Sequence, residues 1–279
     1  MTVPLWRLVA GLALAFASGC ATLPPPLPAE LQSLPAVALL GEMHDNAVQH
    51  ALRLRAFEAL LATGARPALA MEQFDREHQA QIDRLLAATP RVRADAVIAA
   101  GSGRSSWNWR WYRPFIALAL DHGLPIVAAN VSRDDARQVM RQGLAATGFD
   151  AAVPQALLQA HARGIEDSHC GAIDAATARR MAQAQVARDQ FMARTVEAHA
   201  ARGVVLLAGN GHVRSDIGVP FWLSPATRSR SVAIGLLEEN DPTTPYDRVV
   251  RTDAHPRPDP CAAMAPRRSE DKALPSPRP

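Results

Sequence analysis

The sequence predicts an α/β protein, a mainly parallel sheet flanked by helices with a small inserted helical subdomain. Three observations lead there. Five apolar runs, Ala36–Leu40, Ala68–Met71, Pro125–Ala129, Val204–Ala208 and Ser231–Leu236, are short and apolar throughout instead of alternating, as strands covered on both faces are. Segments with helical spacing lie between them. Two of the runs stop at a glycine and are followed by groups able to bind a metal or move a proton.

In chain order, residues 1–19 read as a secretory signal: Arg7, an apolar stretch from Leu8 to Phe16, then small residues up to Cys20. The segment is too short for a dependable membrane span. Small residues before a cysteine resemble the bacterial lipobox, although Ala17 stands where leucine is more usual. The expectation is cleavage before Cys20 and a lipid anchor on it. Ordinary secretion, with Cys20 discarded or free, is the alternative. Residues 20–35 are proline-rich and suit a stiff tether. The domain proper is expected over 36–253. Its helices include Ala47–Thr63, carrying Leu52, Phe57, Leu60 and Leu61, and Arg113–His122, carrying Phe115, Leu118 and Ala119. Residues 76–100 also look helical. The stretch 134–201 holds helical patterns and no strand, hence the subdomain; its longest helix starts after Asp174 as N-cap. From Ala254 to Pro279 the chain is rich in proline and charge and is expected to be disordered.

The candidate site comes from the strand ends. GEMHDN, after the first run, supplies Glu42 and His44; LLAGNGH, at the fourth, supplies His212. Both contain a glycine followed three residues later by a histidine, Gly41 to His44 and Gly209 to His212. If these strands are neighbours in a parallel sheet, the histidines meet in one cleft. Glu72 closes the second run and Asn130 the third. A carboxylate and an imidazole on one face can share a metal or act as an acid–base pair. The plainer reading is a helix-capping glutamate and a histidine bound to backbone. Gln185, Arg188 and Met192 share a helix face, with Asp189 beside it. Arg188 could clamp a carboxylate there, or pair with an acidic neighbour on a solvated face. WNWRWYRPF, residues 107–115, holds three of the five tryptophans and one of the two tyrosines. Such a segment can stack on a porphyrin, with Tyr112 as phenolate ligand, or simply seal a helix onto the sheet. His169 and Cys170 are a further possible ligand pair.

Composition narrows the classes. The balance of 30 basic against 27 acidic residues, without a basic stripe carrying interleaved aromatics, argues against nucleic acid. No GxGxxG or GxxxxGK[ST] phosphate loop occurs, and no CxxC or CxxCH. Cys170 and Cys261 could pair in an oxidising envelope, or remain inert thiols.

Taken together, GEMHDN, ALAMEQF, WNWRWYRPF leading to PIVAANVSR, SHCGAID, AQVARDQFMA and LLAGNGHVRSDIGVP resemble, in that order, the ChaN-like haem-binding uptake lipoproteins of the Tiki/ChaN superfamily. The resemblance covers most of residues 36–237. It implies an α/β domain with a helical subdomain, envelope attachment, and haem held at a homodimer interface in haem or iron acquisition. The wider superfamily includes erythromycin esterase-like and Tiki-type metal-dependent hydrolases. Carried over by motif, Glu42, His44, Glu72 and His212 are the shared polar site, with His44, His212 and Glu72 as ligands if a divalent metal binds. For haem, the resemblance fixes no iron ligand; from the residues, Tyr112 is the expected ligand if a tyrosine is required, His169 the next candidate, and Arg188 a further haem contact. By similarity to enterobacterial sorting, Ala21 after Cys20 points to the outer membrane, periplasmic face.

Overall fold

The fold is α/β. In the computed structural model, residues 26–88, 91–101, 106–242, 245–259 and 261–262 are described. The signal segment, Cys20 and the tail beyond residue 262 lie outside them. Among the described residues no helix is long and apolar enough to cross a membrane.

The sheet has six parallel strands in the order β3-β2-β4-β1-β5-β6: β1 (Val37–Leu40), β2 (Ala68–Asp75), β3 (Ile126–Asn130), β4 (Val204–Leu207), β5 (Ser231–Glu238) and β6 (Arg248–Thr252). Alternate residues serve opposite faces. Ala38, Leu40, Leu69, Met71, Val205 and Leu207 pack under one helical layer. Val37, Leu39, Ala68, Ala70, Val204 and Leu206 pack under the other.

The helices α1 (Ala29–Gln32), α2 (Ala47–Ala62), α3 (Gln79–Ala88), α4 (Ala94–Ala100) and α5 (Trp109–Asp121) precede β3. Asn46 starts α2 by accepting from the amides of Val48 and Gln49. Phe57 of α2 and Phe115 of α5 meet at 6.1 Å over the first face. Next come α6 (Arg133–Gln142), α7 (Gln155–Ser168) and α8 (Ala175–His199). Ser132 caps α6 and Asp174 caps α8. The helical insertion is not separate from the sheet. Met192, Ala193 and Val196 of α8 pack on the second face, while Val186 and Ala187 pack with Val139 and Leu157 of α6 and α7. Three short helices, α9 (Asn210–Val213), α10 (Val219–Trp222) and α11 (Pro225–Arg228), join β4 to β5.

β1 and β4 are immediate neighbours, with Leu40 opposite Leu207. From β1 the chain crosses β4 to reach β2; from β4 it crosses β1 to reach β5. The two connections leave in opposite senses, which opens a crevice at the carboxyl ends of these strands.

Three expectations change. β6 adds a sixth strand. Of the proposed tether, Leu31 is fully buried and Arg248 donates to the carbonyls of Glu30 and Ser33, so the chain is part of the fold from α1 on. The tail expected to be free from Ala254 is tied back as far as described: Arg257 pairs with Asp45 and Glu238, and Cys261 is disulfide-bonded to Cys170, 91 residues away. Of the two alternatives for those cysteines, pairing is the one the structure takes.

Candidate functional site

Beyond β1 and β4 the chains stay in register. The amide of Gly41 donates to Ile234, and that of Asn210 donates to the carbonyl of Glu42. Gly41 has to be glycine because a Cβ would collide with the side chains of Asn210 and Val213. The turn that carries Glu42 and His44 is thereby pressed against the turn that carries His212.

Glu42 points into the first helical layer and is buried. There it is paired with Arg53, itself fully buried on α2, and receives the hydroxyl of Tyr112. Arg53 also donates to Leu40 O at 3.1 Å and to His50 Nδ1 at 3.2 Å. Burial lowers Arg53 to about 10, so it stays a cation at neutral pH. Burial likewise lowers His50 to about 4, and the neutral ring donates from Nε2 to His44 O at 3.1 Å. A carboxylate oxygen of Glu42 also accepts from Nδ1 of His44 at 2.8 Å. That contact turns Nε2 of His44 outward on a ring 46% exposed.

Across the crevice the same arrangement recurs from the other layer. Nδ1 of His212 donates to Asp189 of α8 at 2.6 Å. Asp189 is fully buried and also lies 3.4 Å from His161 of α7, whose Nε2 donates to Ile217 O. Nε2 of His212 faces Glu72 at 3.6 Å, and Glu72 accepts from the amide of Gly209 at 2.7 Å. Burial opposes protonation of His212, yet the carboxylates of Asp189 and Glu72 raise it above the ordinary imidazole range. Burial opposes ionisation of Glu72, yet His212, His44 and the Gly209 amide hold it below the ordinary carboxylate range. A Cβ on Gly209 would stand 3.0 Å from Nε2 of His44 and 3.7 Å from Glu72, so His44 and Glu72 border one small space over this glycine.

These groups open into a cleft of about 640 Å³ lined by His44, Glu72, Trp107, Trp111, Arg188 and His212, among others. Asn130 and Arg133 line it too. A second hollow of about 390 Å³, with His161 and Ser168 on its wall, shares His44, Gln185 and His212 with the first. Trp107 meets the His44 ring edge-on at 4.9 Å, and Trp111 stacks on His50 at 4.6 Å.

The structure thus brings Glu42, His44, Glu72 and His212 together, with Asn130 and Arg188 on the cleft wall. Tyr112 is a correction. Its oxygen is buried against Glu42, it lines no part of the cleft, and burial raises its pKa, which disfavours a phenolate. Tyr246 donates to Asn210 O at 3.3 Å. His169 is a second correction: at the end of α7, its Nδ1 is engaged by Ile165 O at 2.8 Å and it lines neither hollow. Met192 points into the sheet core. The suggested metal set of His44, Glu72 and His212 is not preassembled. Among the described residues, the one group whose ligand atoms all lie within 4.8 Å is Asp75, Glu77 and His78. Sequence reasoning missed Arg53, His50 and His161 and left Asp189 as a bystander. Arg53 and His50 had a signal, since they share the helix face of Phe57 and Leu60.

Residues 32–223 match the family model described as haem-binding uptake, Tiki superfamily, ChaN. A solved structure of ChaN from Campylobacter jejuni, described as cofacial haem binding to that protein, shares the fold, with a TM-score of 0.65 at 21% identity over 78% of this chain and 87% of that one. An erythromycin esterase mutant in its open conformation aligns at a TM-score of 0.45 and 13% identity, over 73% of this chain and 70% of that one. Among curated proteins, none matches.

Proposed function

Because this chain belongs to the ChaN family of the Tiki superfamily, we propose that its cleft binds haem, as ChaN of Campylobacter jejuni does. The observation that carries this is the His44 ring: half-exposed, held at Nδ1 by buried Glu42, and walled by Trp107, with Trp111 lining the same cleft. A histidine whose Nδ1–H is fixed on a carboxylate has its ring oriented with Nε2 free to ligate iron. The indoles offer flat apolar surface to a macrocycle. The residues present therefore fit haem with imidazole ligation and do not fit ligation by either tyrosine. Bound ferric haem would supply a Lewis-acidic iron. The chain's own part is to orient His44, wall the ring and hold its charges.

The lipid anchor at Cys20, the outer-membrane location, the homodimer and a role in iron acquisition belong to the same proposal. A Cys170–Cys261 bond suits an oxidising envelope. An open cleft on each of two copies suits haems placed face to face. Titration of ferric haem into the purified protein should give a Soret band that His44→Ala abolishes or shifts and Tyr112→Phe leaves alone. Normal binding by His44→Ala would refute the ligand. Cys20→Ser should release the protein from membranes; if it stays bound and processed, the anchor is wrong.

A second reading is favoured by one specific observation. Two carboxylate–imidazole pairs, Glu42–His44 and Asp189–His212, face one another across Glu72. That supports acid–base hydrolysis of an ester or amide. A divalent metal on His44, Glu72 and His212 would first require loss of the His212 proton. Hydrolysis of activated esters, lost in His212→Ala with the fold intact, would establish this reading; equal background in both proteins would remove it.

A further inference from the structure

We propose that Arg133 and Arg188, with Asn130, form an oxyanion subsite on the helical wall of the cleft, which receives a carboxylate or phosphate group of the ligand. The subsite rests on the reading of the cleft as a ligand site and deepens it. If that ligand is haem, the group seated here is a propionate.

The carboxylates around the cleft are already engaged. Glu42 is paired with Arg53, and Asp45 with Arg257. Asp134 is paired with Arg137, and Asp135 with Arg76. Glu72 holds the Gly209 amide and faces His212, and Asp189 holds His212. Arg133, at the first turn of α6, and Arg188, in the middle of α8, line both the main cleft and an adjoining hollow of about 190 Å³. Among the described residues neither has a carboxylate within 4.0 Å; Arg188 makes a long hydrogen bond, 3.4 Å, to the amide oxygen of Gln185.

Arg133 is exposed, and two facts about Arg188 and Asn130 separate the subsite from ordinary surface charge. Arg188 is partly buried, and burial lowers its pKa; the carboxylates of Glu72 and Asp189 oppose that without pairing directly with it, and the neighbouring charge of Arg133 adds to it. A partly desolvated guanidinium with no direct ion pair has donors left for an anion, and a ligand oxyanion can take them. Independently, Asn130 at the end of β3 is 5% exposed, lines the same cleft, and its side-chain oxygen has no hydrogen-bond partner. Its carboxamide can turn either end to a ligand, so its NH₂ can join the two guanidinium forks around one oxyanion.

The test uses the full, haem-free protein and inorganic phosphate as probe. Phosphate should quench tryptophan fluorescence, because Trp107 and Trp111 line the cleft, and Arg188→Gln should weaken binding roughly tenfold or more, the worth of charge-assisted hydrogen bonds. Arg188→Gln should weaken ferric haem to a similar extent without moving its Soret maximum. The dimethyl ester of haem, which lacks propionate charge, should bind native protein and variant alike if propionate is the natural occupant; an ester that still distinguishes them assigns the subsite to a phosphate-bearing or other carboxylate ligand. Should Arg188→Gln fail to fold, Arg133→Gln, at an exposed position, carries the same comparison. Weakened phosphate binding supports the subsite even if native protein binds no haem, so failure of the haem reading is distinguishable. Phosphate and haem affinities both unchanged in the arginine variants would overturn it.

Discussion

Replacing Arg53 by methionine tests the most buried part of the site. Arg53 and Glu42 are both 0% exposed at the side chain, and Arg53 also holds Leu40 O and His50 Nδ1. Its guanidinium carbon lies 5.7 Å from the centre of the Phe115 ring. Removing one member of such a pair leaves the other charge uncompensated, at about 3–5 kcal/mol. In a domain of this size that is a fall in Tm of roughly 6–20 °C. Glu42→Gln still accepts from Tyr112 and from Nδ1 of His44, so the double variant Glu42→Gln/Arg53→Met should recover at least ~1 kcal/mol relative to the sum of the single losses. Urea unfolding of the four proteins gives the cycle. An Arg53→Met protein within ~1 kcal/mol of native, or a double variant showing the full additive loss, would refute the view that this ion pair fixes Glu42.

Three further outcomes are expected. His212 is raised above the usual 6.5 in the folded state, so its contribution to stability is complete below that value and is lost as pH rises through the folded pKa; Asp189→Asn should bring its imidazole titration down, followed by NMR, and an unmoved titration would discard Asp189 as the cause. Gly209→Ala places a Cβ 3.0 Å from Nε2 of His44; because that ring is half-exposed it can swing away at a cost of ~1 kcal/mol or less, so haem affinity should fall while Tm barely moves, and unimpaired affinity would mean the ring's position is immaterial. Glu238 is lowered to about 2 by Arg257, so its stabilisation is present above the ordinary value of 4.5 and disappears as pH falls through about 2; Arg257→Gln should shift acid unfolding to higher pH, and an identical acid limb would remove the pair from the account.

What was legible in the chain followed apolar periodicity. β1 and β4 are Val and Leu runs cut by glycine, and their adjacency placed His44 and His212 together once parallel pairing was assumed. β6 escaped because RVVRT interrupts its apolar residues with arginine, as an edge strand covered on one side does. Tyr112 was misread although the signal was present: Tyr112, Phe115, Ile116 and Ala119 are three and four apart and form the buried face of α5, leaving Trp111 to the cleft. The link from Asp189 to His212 spans 23 residues and two elements, and no local pattern encodes it. Arg53 shows the same limit. Its place on an apolar helix face was visible, but the carboxylate that makes burial tolerable comes from another strand end.

The bond between Cys170 and Cys261 closes a covalent ring containing α8, β4, β5 and β6. Asp189 and His212 belong to that ring; Glu42, His44, Glu72 and the two cleft tryptophans belong to the open chain before it. The cleft is therefore a seam between a looped part and a linear part of the same polypeptide. A single cut inside the loop leaves both walls on one covalent unit, whereas a cut between His44 and α7 leaves the His44 wall joined to the His212 wall only by non-covalent contacts, the pairing of β1 with β4 and β5 among them. The difference shows on unfolding: molecules nicked inside the loop keep both walls on one covalent unit, and those cut at the seam do not.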